Sequence, residues 1–172
     1  MFDRKLTNAA GGNVSVKVND DYFIMTPSFM SQAHLCDLHP SQILVLDKDA
    51  NIIEGDGKVT RELNMHMACY EENNEVGCVI HAQPLDSMVF ATLGLDIPNL
   101  SEASEKLGEI PCLEYAPSTS QELADKVRVQ LKKESRVSQA FLLRRHGILI
   151  QGENIEKTYY MLNDWNGMPI LQ

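Results

Sequence analysis

The sequence lacks a long apolar segment. Its apolar runs, such as residues 43–46, are far shorter than the roughly 20 residues that a membrane-spanning helix needs. Met1-Phe2-Asp3-Arg4-Lys5 is not followed by an apolar stretch, so the sequence also predicts no secretory signal. We therefore expect a soluble, cytoplasmic protein with no membrane partner.

Basic residues and paired cysteine motifs are also scarce. Fifteen Lys and Arg against 24 Asp and Glu give a net charge of −9 with His neutral, which repels phosphate backbones and disfavours nucleic acid as a partner. Cys36, Cys69, Cys78 and Cys112 show no Cys-x-x-Cys spacing, which disfavours a thiolate zinc site and a disulfide framework. We expect reduced thiols, most of them packed in the core.

The 172 residues predict a single domain, residues 1–172, in which helices and strands are interspersed. A hairpin is predicted over residues 14–18 and 22–25, across the turn Asn19-Asp20-Asp21. Further strands are predicted over residues 42–46, 51–54, 78–80, 111–115, 140–143 and 148–150, and helices over residues 62–72, 87–93, 121–133 and 155–162. The helix signals are Leu63, Met67 and Tyr70 on one face, the capping-box pattern Thr119-Ser120-Gln121-Glu122, and Asn154 as a cap.

Two of the five histidines lie at predicted strand ends. His81 follows the strand at residues 78–80, and His146 lies between the last two strands. Residues two apart on an extended segment project to the same side, so His81 and Gln83 present a nitrogen and an amide oxygen to one point. With His146 they would form a three-ligand metal site with an open position. The alternative is that these are hydrogen-bonded structural residues.

Two further polar segments can also be interpreted either as structural or as functional. Glu62 and His66 share a helix face, where Glu62 is either a solvated helix start favoured by the dipole or a general acid/base beside a metal. The segment Gly11-Gly12-Asn13-Val14-Ser15 is either a simple turn or an anion-binding loop. Ser28, Thr60 and Arg61 add donors and a cation for a phosphate group.

Taken in order, five motifs resemble the class II aldolase/adducin head family, and within it the L-fuculose-phosphate aldolase branch. They are Gly12-Asn13-Val14-Ser15, Ile24-Met25-Thr26-Pro27-Ser28, Glu62 with His66 and Tyr70, Val79-Ile80-His81-Ala82-Gln83, and Leu142-Leu143-Arg144-Arg145-His146-Gly147. The resemblance implies a three-layer α/β/α sandwich with a mixed, mostly antiparallel central sheet, and a homotetramer.

The resemblance also implies the roles of individual residues. A divalent metal ion, zinc with manganese or cobalt as alternatives, is expected on His81, Gln83 and His146. Glu62 is the expected catalytic acid/base, and Asn13, Ser28, Thr60 and Arg61 are expected to bind the substrate phosphate. The implied activity is that of a metal-dependent aldehyde-lyase that cleaves a ketose phosphate such as L-fuculose 1-phosphate.

The sequence departs from the family pattern at several of these positions. Gln83 stands where the family has a second strand-end His, which should weaken zinc binding or change the metal preference. Phe29 replaces a glycine of the phosphate turn, Thr60-Arg61 replaces paired serines, and Glu102 falls where some aldolases have a tyrosine. Two alternatives therefore stay open: a related sugar-phosphate epimerase or dehydratase, and a non-catalytic adducin-like oligomerisation and binding module.

Overall fold

A computed structural model describes the backbone of residues 1–9, 11–99, 108–134 and 136–166, and the side chains of these residues up to residue 164. Strands β1 (Asn13–Lys17) and β2 (Tyr22–Met25) form the predicted hairpin. Its turn is fixed by Asn19, whose side-chain oxygen accepts hydrogen bonds from the backbone N–H groups of Asp21 and Tyr22, each at 2.9 Å.

The hairpin belongs to an eight-stranded sheet with the order β4-β3-β2-β1-β5-β8-β7-β6. Neighbouring strands are antiparallel except β6 and β7, which are parallel. The remaining strands are β3 (Leu44–Asp47), β4 (Ile52–Glu54), β5 (Cys78–Ala82), β6 (Cys112–Leu113), β7 (Gln139–Leu143) and β8 (Gly147–Gly152). The helices of the described chain are α1 (Met30–His34), α2 (Leu63–Glu72), α3 (Leu85–Leu93), α4 (Gln121–Lys133) and α5 (Ile155–Asn166), with a 3-10 turn at Pro40–Gln42.

Both faces of the sheet are covered by helices. Successive side chains of β5 alternate between the faces, so that Val79 packs with residues of α2 and α4, while Cys78 and Ile80 pack with residues of α3 and α5. The central strands are therefore buried on both sides, which explains their short continuous apolar runs. The predicted three-layer α/β/α architecture with a mostly antiparallel sheet is confirmed.

Helix α2 forms where the periodicity predicted a helix. The three residues that signalled the helix differ in burial, since Tyr70 is buried whereas Leu63 and Met67 are only partly buried. The buried residues are Met65, His66, Ala68, Cys69 and Tyr70, because α2 packs against both the sheet and α4.

The start of α4, α1 and the cysteines also differ in detail from the prediction. Ser120, not Thr119, caps α4, since its hydroxyl accepts from the backbone N–H of Leu123 at 3.1 Å. Helix α1 has no counterpart among the predicted elements. All four cysteines are free thiols, but only Cys69 and Cys78 are fully buried.

Among the described residues, no helix combines the length and the apolar character that a membrane span needs.

Candidate metal and substrate site

The predicted site residues meet at one edge of the sheet. His81 lies near the end of β5 and pairs in register with Asn13 at the start of β1. His146 directly precedes β8, and Glu62 directly precedes α2. Ligand atoms of Glu62, His81 and His146 all lie within 4.8 Å of one another. Residues far apart in the sequence thus form one cluster of two imidazoles and a carboxylate.

The Glu62 carboxylate lies between the two imidazoles. Its Oε1 is 2.9 Å from Nε2 of His146, and its Oε2 is 3.3 Å from Nε2 of His81. Nδ2 of Asn13 donates a hydrogen bond to Oε2 at 3.3 Å. Burial raises the pKa of Glu62, but His81, His146 and Asn13 outweigh it and lower the pKa to about 2. The carboxylate is therefore ionised at neutral pH.

His81 is neutral and presents its unprotonated nitrogen to the site. Its Nδ1 donates to the backbone carbonyl of Ile148 at 3.0 Å, which leaves Nε2 as the unprotonated nitrogen of a neutral ring. Burial lowers the pKa of His81 to about 4, although the Glu62 carboxylate opposes this shift. The ring is therefore neutral at pH 7, as a metal ligand must be.

Gly147 allows His146 to approach His81. A Cβ atom at Gly147 would lie 2.4 Å from the carbonyl oxygen of Ala82 and 2.9 Å from Cε1 of His81. Without that atom the two ring centroids are 4.6 Å apart. Nδ1 of His146 is buried and has no hydrogen-bond partner among the described residues.

The donor set fits a divalent metal ion. Nε2 of His81 lies 3.3 Å from a carboxylate oxygen of Glu62, so that both atoms can contact one ion. Imidazole nitrogen and carboxylate oxygen are the ligands that zinc and similar divalent ions use in catalytic sites. Glu62 is thus a candidate ligand as well as the predicted acid/base.

Gln83 lies beside this donor set with its amide nitrogen turned inward. Its Nε2 donates to Nε2 of His81 at 2.7 Å, and its Oε1 accepts from the hydroxyl of Thr7 at 3.0 Å. Gly11 packs against the amide, since a Cβ atom there would lie 2.0 Å from Oε1 of Gln83. Ligation by Gln83 requires the amide to turn over, so its role as a ligand stays a prediction.

An open cavity of about 270 Å³ adjoins the cluster. Every predicted site residue lines it, and so do residues that the sequence analysis missed, namely Asn8, Ser118 and Thr119. Ser118 and Thr119 come from the loop before α4. Thr119 was noted in the sequence only as part of a helix-capping pattern, and Ser118 had no signal at all.

The four residues predicted to bind phosphate differ in what they can donate. Arg61 is exposed, and its guanidinium makes no hydrogen bond or ion pair with the residues that the structure describes. The hydroxyl of Thr60 accepts from the backbone N–H of Glu62 at 3.3 Å, which leaves its hydrogen available. Ser28 donates its hydroxyl hydrogen to the Val59 carbonyl at 2.9 Å, and Asn13 is bonded to Glu62.

Two departures from the family pattern bear on the cavity. Phe29 keeps a left-handed backbone with φ of 65°, so the turn retains the conformation that glycine favours even though the side chain is phenylalanine. Its ring is exposed at the cavity. Glu102 lies outside the described residues.

The sequence is similar to that of several known proteins. Residues 1–165 match the model of the "Class II Aldolase and Adducin N-terminal domain" family. An L-fuculose phosphate aldolase of Methanococcus maripaludis is 31% identical over 160 residues, which cover 92% of this chain and 82% of that protein. A 3-oxo-tetronate 4-phosphate decarboxylase of Haemophilus influenzae is 27% identical over 161 residues, 90% of this chain and 73% of that protein.

A solved structure supports the fold. An L-fuculose 1-phosphate aldolase superposes with a TM-score of 0.82 at 24% identity, covering 99% of this chain and 84% of that one. The family match spans residues 1–165, which include every strand of the sheet. The chain belongs to the class II aldolase and adducin N-terminal domain family.

Proposed function

We propose that the protein is a metal-dependent aldehyde-lyase that cleaves a phosphorylated ketose, with L-fuculose 1-phosphate as the first substrate to test. The observation that carries this proposal is the ionised Glu62 carboxylate between His81 and His146, at the wall of a cavity that is also lined by the exposed guanidinium of Arg61. The family relatives named as sugar-phosphate aldolases support the same substrate class.

His81, His146 and Glu62 are the residues that would hold the ion. Gln83 would add an amide oxygen once its side chain turns over, which favours a harder ion such as manganese or cobalt beside zinc. When bound, such an ion polarises the substrate carbonyl and stabilises the negative charge that develops on its oxygen.

Glu62 would move the proton in the retro-aldol reaction. The hydroxyl group next to the breaking carbon–carbon bond loses its proton to the carboxylate as the aldehyde forms, and the bond electrons pass toward the carbonyl. The carbon that keeps the electron pair then takes a proton, so that Glu62 ends as it began. Glu62 is ionised at neutral pH, and the ionised carboxylate is the form that accepts the first proton.

Arg61 and Thr60 would hold the phosphate group. A guanidinium forms charge-assisted hydrogen bonds with phosphate, and both residues lie at the N-terminus of the ten-residue helix α2, which favours negative charge. These contacts orient the substrate toward Glu62 and take no part in the chemistry. Asn13 and Ser28 would contribute less to phosphate binding, because their side chains are engaged by Glu62 and Val59.

The organisation of the protein belongs to the same proposal. We infer one domain over residues 1–172, because strands from both halves of the described chain share one sheet. We also infer a cytoplasmic homotetramer, on the family resemblance alone, and light scattering would measure its mass.

The test is release of an aldehyde and a triose phosphate from ketose 1-phosphates by the metal-loaded protein. In the Glu62→Gln variant, which keeps the shape of the side chain, we expect kcat to fall by about 10²- to 10⁴-fold because the proton acceptor is lost. Turnover that survives this change would contradict the role of Glu62. Absence of both metal binding and turnover in the unmodified protein would favour the non-catalytic binding module.

A further inference from the structure

A continuous chain of buried side chains leads from Glu62 into the core. Asn13 donates to Glu62 and accepts from Nε2 of His66, and Nδ1 of His66 lies 2.7 Å from the hydroxyl of Ser15. Ser15 is in turn 2.7 Å from the hydroxyl of Tyr70. All five residues are less than 9% exposed, and His66 is fully buried. The chain therefore connects the candidate site to the layer between the sheet and α2.

The donor and acceptor at every link are determined by the first one. An ionised carboxylate only accepts hydrogen bonds, so Asn13 must turn its NH₂ group toward Glu62 and its Oδ1 toward His66. His66 must then carry its proton on Nε2, which leaves Nδ1 to accept from the hydroxyl of Ser15. Ser15 in turn accepts from Tyr70. The chain thus runs in one direction, from the Tyr70 hydroxyl to the Glu62 carboxylate.

The surroundings do not require polar residues here. His66 lies among buried apolar residues of α2 and the sheet, including Met65 and Cys69, and Tyr70 stacks on Phe23 with ring centroids 5.0 Å apart. Replacing a buried hydrogen-bonded pair by two apolar groups of the same shape leaves the stability of a protein nearly unchanged. The stability of the fold alone therefore does not explain why this chain of hydrogen bonds is present. His66 does not itself line the cavity and reaches it through the amide of Asn13.

We propose that His66 is a positioning residue that acts on the reaction through Asn13. By donating to Oδ1 of Asn13, His66 prevents the amide from turning over. One hydrogen of the Asn13 NH₂ group is thereby held on Glu62, and the other is available to an oxygen atom of the substrate in the cavity that Asn13 lines. A turned amide would set its oxygen against the carboxylate. This inference rests on the proposed function.

Two substitutions of His66 separate positioning from packing. His66→Leu removes the donor, and we expect kcat to fall by about 10- to 100-fold, the usual effect of losing a residue that orients a metal-site or catalytic group. KM for a ketose phosphate should change less, since Arg61 and Thr60 bind the phosphate. His66→Gln offers an amide N–H to Asn13 and should restore most of the lost turnover. Met65→Leu, a volume-conserving change on the same helix, is the matched control.

The nitrogen chemical shifts of His66 in ¹⁵N-labelled protein test the direction of the chain without any assay of activity. We expect the neutral ring with its proton on Nε2 at pH 7. The opposite tautomer would overturn the inference, and so would unchanged kcat in a folded His66→Leu variant of an active protein. If the unmodified protein neither binds metal nor turns over substrate, the proposed function itself is refuted, and this inference falls with it.

Discussion

Replacing His66 should change how the stability of the protein depends on pH. Full burial lowers the pKa of His66 from 6.5 to about 3, with a smaller contribution from His81 in the same direction, while the Glu62 carboxylate opposes it. Between these two values the unfolded chain binds a proton at this residue and the folded chain does not. The free energy of unfolding is therefore not reduced by His66 above pH 6.5, and it decreases progressively as the pH falls from 6.5 toward 3.

The size of this effect follows from the two pKa values. At pH 5 the loss due to His66 is roughly 2 kcal/mol, since each pH unit below 6.5 costs about 1.4 kcal/mol. Glutamine does not titrate, so the free energy of unfolding of His66→Gln should fall less than that of the unmodified protein, by roughly 2 kcal/mol between pH 7 and pH 5. The other titrating groups are present in both proteins and cancel in the difference.

The assay is urea denaturation of both proteins at pH 7, 6 and 5 with a chelator present, so that bound metal does not contribute. A constant offset between the two proteins reports only how well the glutamine packs. Two parallel stability curves would refute the reasoning, because they would mean that His66 takes up its proton equally in the folded and unfolded states.

Three further substitutions test the site. Gln83→His should tighten zinc binding by on the order of tenfold, because imidazole replaces an amide as ligand; unchanged affinity would remove Gln83 from the metal site. Arg61→Ala should raise KM for a phosphorylated substrate by roughly tenfold, because a charge-assisted hydrogen bond to the phosphate is lost. Lys48 is exposed outside the cavity, so Lys48→Ala should leave KM unchanged. Equal effects of the two substitutions would exclude a phosphate role for Arg61. Gly147→Ala should lower the free energy of unfolding by about 1–3 kcal/mol, since its Cβ would lie 2.4 Å from the Ala82 carbonyl; an unaffected urea midpoint would contradict that close contact.

The positions of the site residues were predictable from the sequence because they are tied to strand ends. The apolar run at Cys78-Val79-Ile80 predicted a buried strand, and the histidine that follows it lies at the sheet edge as expected. The same reasoning placed His146 between two strands, and the periodicity of α2 placed Glu62 at its start. Alternation and periodicity determine where a side chain emerges, which is why the cluster could be anticipated.

The hydrogen bonds within the site could not be predicted in the same way. The orientation of the Gln83 amide depends on Thr7 and Gly11, which are more than 70 residues away in the sequence. Asn13 was predicted to bind phosphate, but its amide bonds to Glu62 and His66. The contacts of His66 arise only when α2 packs on β1, and no local pattern indicates which helix face will meet that strand. Three-dimensional packing decides such contacts.

The metal content of the protein tests the central claim most directly. Protein purified without chelators or an affinity-tag metal would be analysed for bound elements, and its metal-free form titrated with zinc, manganese and cobalt. We expect about one equivalent per chain, lost in His146→Ala and retained in His39→Ala, an exposed histidine outside the cavity. No binding of any of these metals, or equal loss in both variants, would contradict a metal site formed by Glu62, His81 and His146.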